Sequence, residues 1–340
     1  MTLIVTGKGD ITLLPRFQKG DFESYELYLG LLDESLEEKY QQLPAPIRIT
    51  SIHTPTWIEV EGKPYPFDLG QADPIGTIAV KALQQTIQLG ERRGAQVIVV
   101  HGASFNSFLE QKETAMHRLA RRIRSLPETS LKLCFETDVL WHNLYYSRRA
   151  LLTTAADFQL LQSLLPGGIK ITADIEHLSI TFHFQQFISH CGGELPFLRK
   201  YSEIAQKKFE ADSQQFILVN YAPLQKKFRD YLSEFFSIFH DQIEHIHING
   251  SDCCNYIFHP QTSLPFVGEH LPLGLQEAEI SDKIDYPFVA SLLHTLPPEK
   301  EIHLVMEVWR TEPQQFIESC KRSKLFFEQQ IKETDRMNKI

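Results

Sequence analysis

Six short runs of β-branched and apolar residues recur along the chain, each followed by a helical stretch, and this alternation restricts the fold to parallel βαβ units. The runs are Ile47 to His53 (IRITSIH), Gln96 to His101 (QVIVVH), Leu131 to Glu136 (LKLCFE), Ile169 to Asp174 (IKITAD), Ile243 to Ile248 (IEHIHI) and Ile302 to Glu307 (IHLVME). Near-continuous apolar strands suit a parallel sheet buried on both faces inside a ring of helices. Helices are predicted over Ile75 to Arg93, stopped by Gly94, and over Glu110 to Leu126, stopped by Pro127. In the first fifty residues Leu3 to Thr6, Ile11 to Leu14 and Tyr25 to Tyr28 have strand character, ahead of a helical LLDESLEEKYQQL. Two strands from that region complete eight. The expected fold is an α/β (β/α)₈ TIM barrel forming one domain over residues 1–340, a length that leaves roughly 90 residues beyond a minimal barrel.

The spare length falls late. About 70 residues separate Asp174 from Ile243, where about 30 serve one crossover. With helical patterns near Phe197 to Phe209 and Leu224 to Phe239, they are expected to form a helical insertion over 180–240, after the sixth strand. A second long connection, Asn249 to Glu301, is rich in Pro, His and Asp and reads as an active-site loop.

A net charge of −9 disfavours nucleic acid or an anionic membrane as partner. No stretch approaches the roughly 20 apolar residues that span a bilayer. The opening MTLIVTGKGD lacks a basic region followed by an apolar run, so a cytoplasmic protein is expected. Cys134, Cys191, Cys253, Cys254 and Cys320 form no CxxC pair and are expected to be reduced. The basic clusters Arg121, Arg122, Arg124 and Lys207, Lys208, Lys226, Lys227 fall on helical stretches and read as solvated faces.

The six runs share a further feature: each ends at, or beside, a potential metal ligand. In order these are His53, His101, Glu136, Asp174 with His177, His247 and Glu307. Any one of them alone would be an ordinary hydrogen-bonded polar residue. His and acids together fill about one position in six, so composition does not produce the coincidence. In a parallel barrel the C-terminal strand ends converge on one face, where these side chains would meet. Mixed imidazole and carboxylate donors suit Zn²⁺, Mn²⁺, Co²⁺ or Fe²⁺ and suit Ca²⁺ poorly. Glu136 is a candidate bridge between two ions.

The motifs SIHTP, VVHGAS, CFET, ADIEH, HIHINGSD, EHLPLG followed by IDYPF, and VMEVW run in this order from about residue 47 to 310. The ordered set resembles the xylose-isomerase-like barrel superfamily, which includes sugar isomerases and epimerases and endonuclease IV. The resemblance implies a shared metal site of Glu136, Asp174, His247 and Glu307, with one Mn²⁺, Mg²⁺ or similar ion in isomerase-like members. As in endonuclease IV-like members, it also implies further zinc ligands at His53, His101, His177 and His270. Those members carry an acid two residues before the last histidine, where this chain has Gly268; Glu269 and Asp252 are acids nearby in sequence. Their Gly- and Asn-rich motif after the bridging glutamate is CFETDVLWHN here, and their HLNDS-like strand end is HINGSD. The EHLPLG and IDYPF stretches turn the resemblance toward sugar phosphate isomerases and epimerases. The implied cofactor is a divalent metal, zinc or manganese foremost, at one to three per chain.

Two chemistries stay open. In an isomerase or epimerase, the metal binds vicinal oxygens of a sugar or sugar phosphate, Glu136 and Glu307 serve as base and acid, and His177 orients a hydroxyl. Trp57, Trp141 and Trp309 are candidates for an apolar wall, with ordinary packing as the alternative. Asn249, Asp252 and Arg310, and also Asn106, Lys170 and Glu269, are polar groups available to a substrate. In an endonuclease IV-like phosphoesterase, two or three ions activate water, Glu136 bridges, and His53 and His101 hold the outer ion. The acidic charge disfavours DNA as its substrate and favours a small phosphorylated molecule. A third class, a metal- or ligand-binding barrel without catalysis, stands beside these. Isomerisation or epimerisation leads. An oligomer is compatible with the sequence, which sets no order for it.

Overall fold

The computed structural model describes residues 1–33, 36–41, 43, 47–107, 109–140, 148–192, 203–253, 270–277, 281–308 and 312–337. Eight parallel strands close into a barrel: β1 (Thr2–Gly9), β2 (Ser24–Tyr28), β3 (Ile49–His53), β4 (Val97–Val100), β5 (Lys132–Glu136), β6 (Lys170–Asp174), β7 (Ile243–Ile248) and β8 (Glu301–Met306). Consecutive strands are neighbours, and β8 closes onto β1 with Glu301 opposite Thr2. Around them run α1 (Leu36–Gln41), α2 (Ile75–Arg93), α3 (Lys112–Arg124), α4 (Ala155–Leu164), α5 (Ile175–His190), α6 (Glu203–Val219), α7 (Tyr221–Ile238), α8 (Tyr286–Leu293) and α9 (Pro313–Met337). The expected barrel is therefore the observed one.

Local chemistry sets the boundaries. Helix α2 stops where Gly94 enters the left-handed region at φ 68° and its N–H returns to Glu91 O. Helix α4 begins with a reciprocal cap, Thr154 accepting from the Asp157 N–H and Asp157 from the Thr154 N–H. Ile11 to Leu14 is not a strand. Asp10 Oδ1 accepts the N–H groups of Thr12 (2.7 Å) and Leu13 (2.9 Å), and the chain turns into a short 3₁₀ helix, Leu14–Arg16, that includes Pro15. Three helices, α5, α6 and α7, occupy the connection from β6 to β7, and α5 starts directly after the strand.

Register brings the strand ends together: Tyr28 lies opposite His53, Thr172 opposite Glu136 and Asp174 opposite His247. Outside the barrel the helices bury Leu83, Phe158, Phe235, Phe239 and Phe327 in a continuous core. The inside is divided. Val97, Val99 and Cys134 pack together on β4 and β5. Thr6, Ser24, Glu26, Ser51, His245 and His303, from five other strands, are buried and joined by polar contacts such as Thr6 to Ser24 at 2.9 Å and Glu26 to Ser51 at 3.1 Å. Barrel interiors are more often filled by branched apolar side chains.

Two small sheets sit off the barrel. Leu31–Leu32, Trp57–Val60 and Lys63–Pro66 form one, and Ser104–Asn106 pairs antiparallel with Arg148–Ala150 in the other. Arg122 does not present a solvated face; it donates to Leu69 O (2.7 Å) and to Asp73 (2.8 Å), tying α3 to the turn before α2. Among the described residues no helix is long and apolar enough to cross a membrane, and Cys134, Cys191 and Cys320 are free thiols.

Candidate metal centre

His247, fully buried on β7, points Nδ1 at three carboxylates: Glu307 Oε2 at 2.7 Å, Glu136 Oε1 at 2.9 Å and Asp174 Oδ2 at 3.6 Å. One ring nitrogen donates at most one proton, so two of the three acceptors lack a donor there and repel one another. The donor atoms of Glu136, Asp174, His247 and Glu307 all lie within 4.8 Å of one another, from four strands. A divalent cation satisfies such a set, so the residues fit the metal. Asp174 divides its oxygens. Oδ1 caps α5 by accepting the His177 N–H (2.8 Å), and Oδ2 turns to Asn249 Nδ2 (3.2 Å) and the cluster. Burial opposes charge on Glu136 and Glu307, but His101 and His247 around Glu136, and Lys8 and His247 around Glu307, hold both well below the usual carboxylate range.

A second group shares Glu136. His53 Nδ1 lies 2.8 Å from Thr54 O, and since a carbonyl only accepts, Nδ1 carries the proton. Burial and the nearby Lys8 ammonium hold His53 below its ordinary pKa, favouring the neutral ring. Its Nε2 lone pair then faces Glu136 Oε2 at 3.1 Å, acceptor against acceptor, which a bound cation would resolve. His101 Nδ1 lies 3.6 Å from the same oxygen and its Nε2 lies 3.5 Å from Asp138 Oδ1. Burial works against its protonation, but Glu136 and Asp138 outweigh it and push His101 up to about 9. Glu136 thus turns Oε2 to His53 and His101, and Oε1 to His247.

The other two expected histidine ligands stand alongside. His177 gives its Nδ1 proton to Thr137 O (2.7 Å), so in the neutral ring Nε2 holds the lone pair, and its ring lies 5.7 Å from His101 and 5.8 Å from His270. His270 sits at φ 49°, an uncommon backbone state for a non-glycine residue. The acid beside it is Glu176, which accepts its backbone N–H (2.9 Å) and lies 3.1 Å from Nδ1; Asp252 instead accepts the Ser281 N–H (2.8 Å) within the loop. Asn249 Nδ2 lies 2.8 Å from His270 Nδ1, joining that residue to the cluster.

The remaining substrate candidates are scattered. Trp57 lies on the three-stranded side sheet with 48% of its surface exposed. Asn106 belongs to the two-stranded sheet. Lys170 is at the start of β6, 2.7 Å from Glu244, so it belongs to the far end of the barrel and not to the site. Trp141, Trp309, Arg310, Gly268 and Glu269 lie outside the described residues. Two buried residues escaped sequence reasoning. Lys8 on β1 reaches Glu307 Oε1 (2.6 Å) and Glu26 Oε1 (3.2 Å), and Glu26 on β2 meets His245 and His247. The available signal was alternation: Glu26 stands between outward-facing Tyr25 and Leu27.

Sequence comparison finds no matching protein family and no matching curated protein. Solved structures match over nearly the whole chain. A D-tagatose 3-epimerase-like protein gives a TM-score of 0.56 at 10% identity, covering 97% of this chain and 98% of its own. A xylose isomerase domain protein from Alicyclobacillus acidocaldarius gives 0.52 at 14% identity, covering 98% and 100%. The IOLI protein with a binding zinc atom gives 0.52 at 10% identity, covering 97% and 99%. With the closed parallel barrel, these matches, at 14% identity or less, show that the chain shares the (β/α)₈ TIM-barrel fold of those proteins.

Proposed function

We propose that this chain is a divalent-metal-dependent enzyme that isomerises or epimerises a sugar or sugar phosphate. The convergence of Glu136, Asp174, His247 and Glu307 at the C-terminal mouth of the barrel carries the reading. A bound divalent ion supplies Lewis-acid polarisation of vicinal sugar oxygens. Glu136 and Glu307, from β5 and β8, are the groups that take a proton from the substrate carbon and return one. His177, its ring fixed by Thr137 O, orients a hydroxyl. The epimerase and isomerase names of the structural neighbours, one of them a zinc-bound protein, support the sugar substrate and the metal. The experiment is to incubate metal-replete protein with ketohexoses and their phosphates in D₂O and follow deuterium at the carbons beside the carbonyl. Exchange is expected; none across the panel, with metal bound, would overturn the assignment.

One observation favours a second reading. The His53 and His101 pair on the far oxygen of Glu136 can hold another ion, which suits hydrolysis of a small phosphoester. Two equivalents of metal together with phosphate release from phosphomonoesters would select it.

A further inference from the structure

We propose that Glu26 and Lys8, supplied by the two strands that contribute no residue to the metal clusters at the mouth, form a positioning pair for the metal centre. In this arrangement Glu26 makes Nδ1 the ligating atom of His247, and Lys8 holds Glu26 and one oxygen of Glu307. This inference rests on the metal-centre reading above.

The geometry runs from the inside outward. His247 Nε2 lies 3.1 Å from Glu26 Oε1 and 3.4 Å from Oε2, while Nδ1 faces Glu136, Asp174 and Glu307. A neutral imidazole carries one proton. With Glu26 accepting it at Nε2, the Nδ1 lone pair is left for the ion, and a carboxylate behind a ligating histidine also raises its basicity. Glu26 is in turn held chiefly through Oε2. Its Oε2 accepts the Ser51 hydroxyl (3.1 Å) and lies 3.1 Å from His245 Nε2, and its Oε1 lies 3.2 Å from Lys8 Nζ. Lys8 donates to Glu307 Oε1 (2.6 Å), so Oε2 is the oxygen turned to His247. One atom of each of these two ligands, on β7 and β8, is thereby tied down and the other is presented. Glu26, His245 and His247 by themselves have the spacing of a cation site. The ammonium of Lys8 already supplies positive charge there, close to the Tyr28 ring (5.6 Å).

The test compares full-length wild type, Glu26→Gln and Lys8→Met by chelator competition with Co²⁺ and by the visible spectrum of the Co²⁺ forms, with metal-free melting as the folding control. Glu26→Gln is expected to weaken Co²⁺ by about 10- to 100-fold and to alter the spectrum. Lys8→Met is expected to alter the visible spectrum of the Co²⁺ form, because Glu26 and Glu307 Oε1 lose the ammonium that holds them. A general loosening of the barrel would instead lower the metal-free melting temperature. Wild-type affinity and spectrum in Glu26→Gln, or a wild-type spectrum in Lys8→Met, would overturn the proposal. If Glu26→Gln does not fold, the Lys8→Met spectrum decides it alone. If the wild type takes up no Co²⁺, the metal-centre reading itself falls, a result distinct from either variant behaving as wild type.

Discussion

Charged side chains crowd both ends of this barrel, and the two crowds differ in how they are satisfied. At the N-terminal rim Glu244 meets Lys132 and Lys170, each at 2.7 Å, and Lys300 at 3.5 Å, with 48%, 40% and 14% of those lysine side chains exposed. Burial opposes the charge on Glu244, but its bonds to Lys132 and Lys170 hold its carboxyl below the ordinary value. Each charge there has a protein partner, and the excess faces water. At the mouth, Glu136, Asp174 and Glu307 converge on one imidazole nitrogen, and His53 turns a lone pair toward Glu136. Removing charges from water is costly unless their geometry repays it. The rim closes its own account of charge, whereas at the mouth the proposed divalent ion would complete the balance. That contrast separates a structural cluster from a site more sharply than the number of acids does.

The largest expected difference between the ends is in metal content. Glu136→Gln and His247→Ala should each bring bound metal to background, whereas Glu244→Gln should leave it unchanged. Elemental analysis of protein purified without chelator measures all three, and retained metal in the first two variants would refute the four-residue centre. A smaller loss tests the second group: if that pair holds a further ion, as the second reading requires, His53→Ala combined with His101→Ala removes one equivalent while leaving the other bound. Unchanged stoichiometry would return that pair to substrate binding or structure.

Histidine protonation sharpens the comparison away from both ends. His183 on α5 is buried, donates Nδ1–H to Ser179 O (2.7 Å), and is pushed down to about 4 by burial. The unfolded chain, with an ordinary histidine near 6.5, therefore binds more protons than the folded chain between those values. Stability from this group is present above about pH 6.5 and is lost as pH falls toward 4, by up to about 3 kcal/mol. Denaturant unfolding of metal-free wild type and His183→Phe across that range should show a shallower decline in the variant. Equal slopes would mean that other groups dominate.

The six runs that opened the sequence reading correspond to β3 to β8, and their ends were legible because an apolar strand stopping at a ligand is a local pattern. Helix α2 was legible to the residue because Gly94 stops it. Lys8 and Glu26 were not, since a charged residue in a short, poorly delimited strand reads as surface, and only closure of the barrel turns it inward. Lys170, one of the polar groups the sequence left open to a substrate, stands away from the mouth for a geometric reason. At about 3.3 Å per residue, it stands on the order of 13 Å down the strand from Asp174, at the opposite rim. Glu176 was hidden because the first turn of α5, not sequence proximity, brings it to His270.

The smallest effect belongs to the rim. Lys132→Met removes one of three lysines around Glu244 and leaves Lys170 at 2.7 Å and Lys300 at 3.5 Å to balance it. Because Lys132 is half exposed, solvent screens its attraction and its ordering costs side-chain entropy. The expected loss of stability is below about 1 kcal/mol, and it should shrink further in 1 M salt, where charges are screened within roughly 3 Å. Urea unfolding at low and high salt measures it. A loss of several kcal/mol, insensitive to salt, would mean that the rim cluster is as dependent on each member as the mouth is, and the distinction between the two ends would fail.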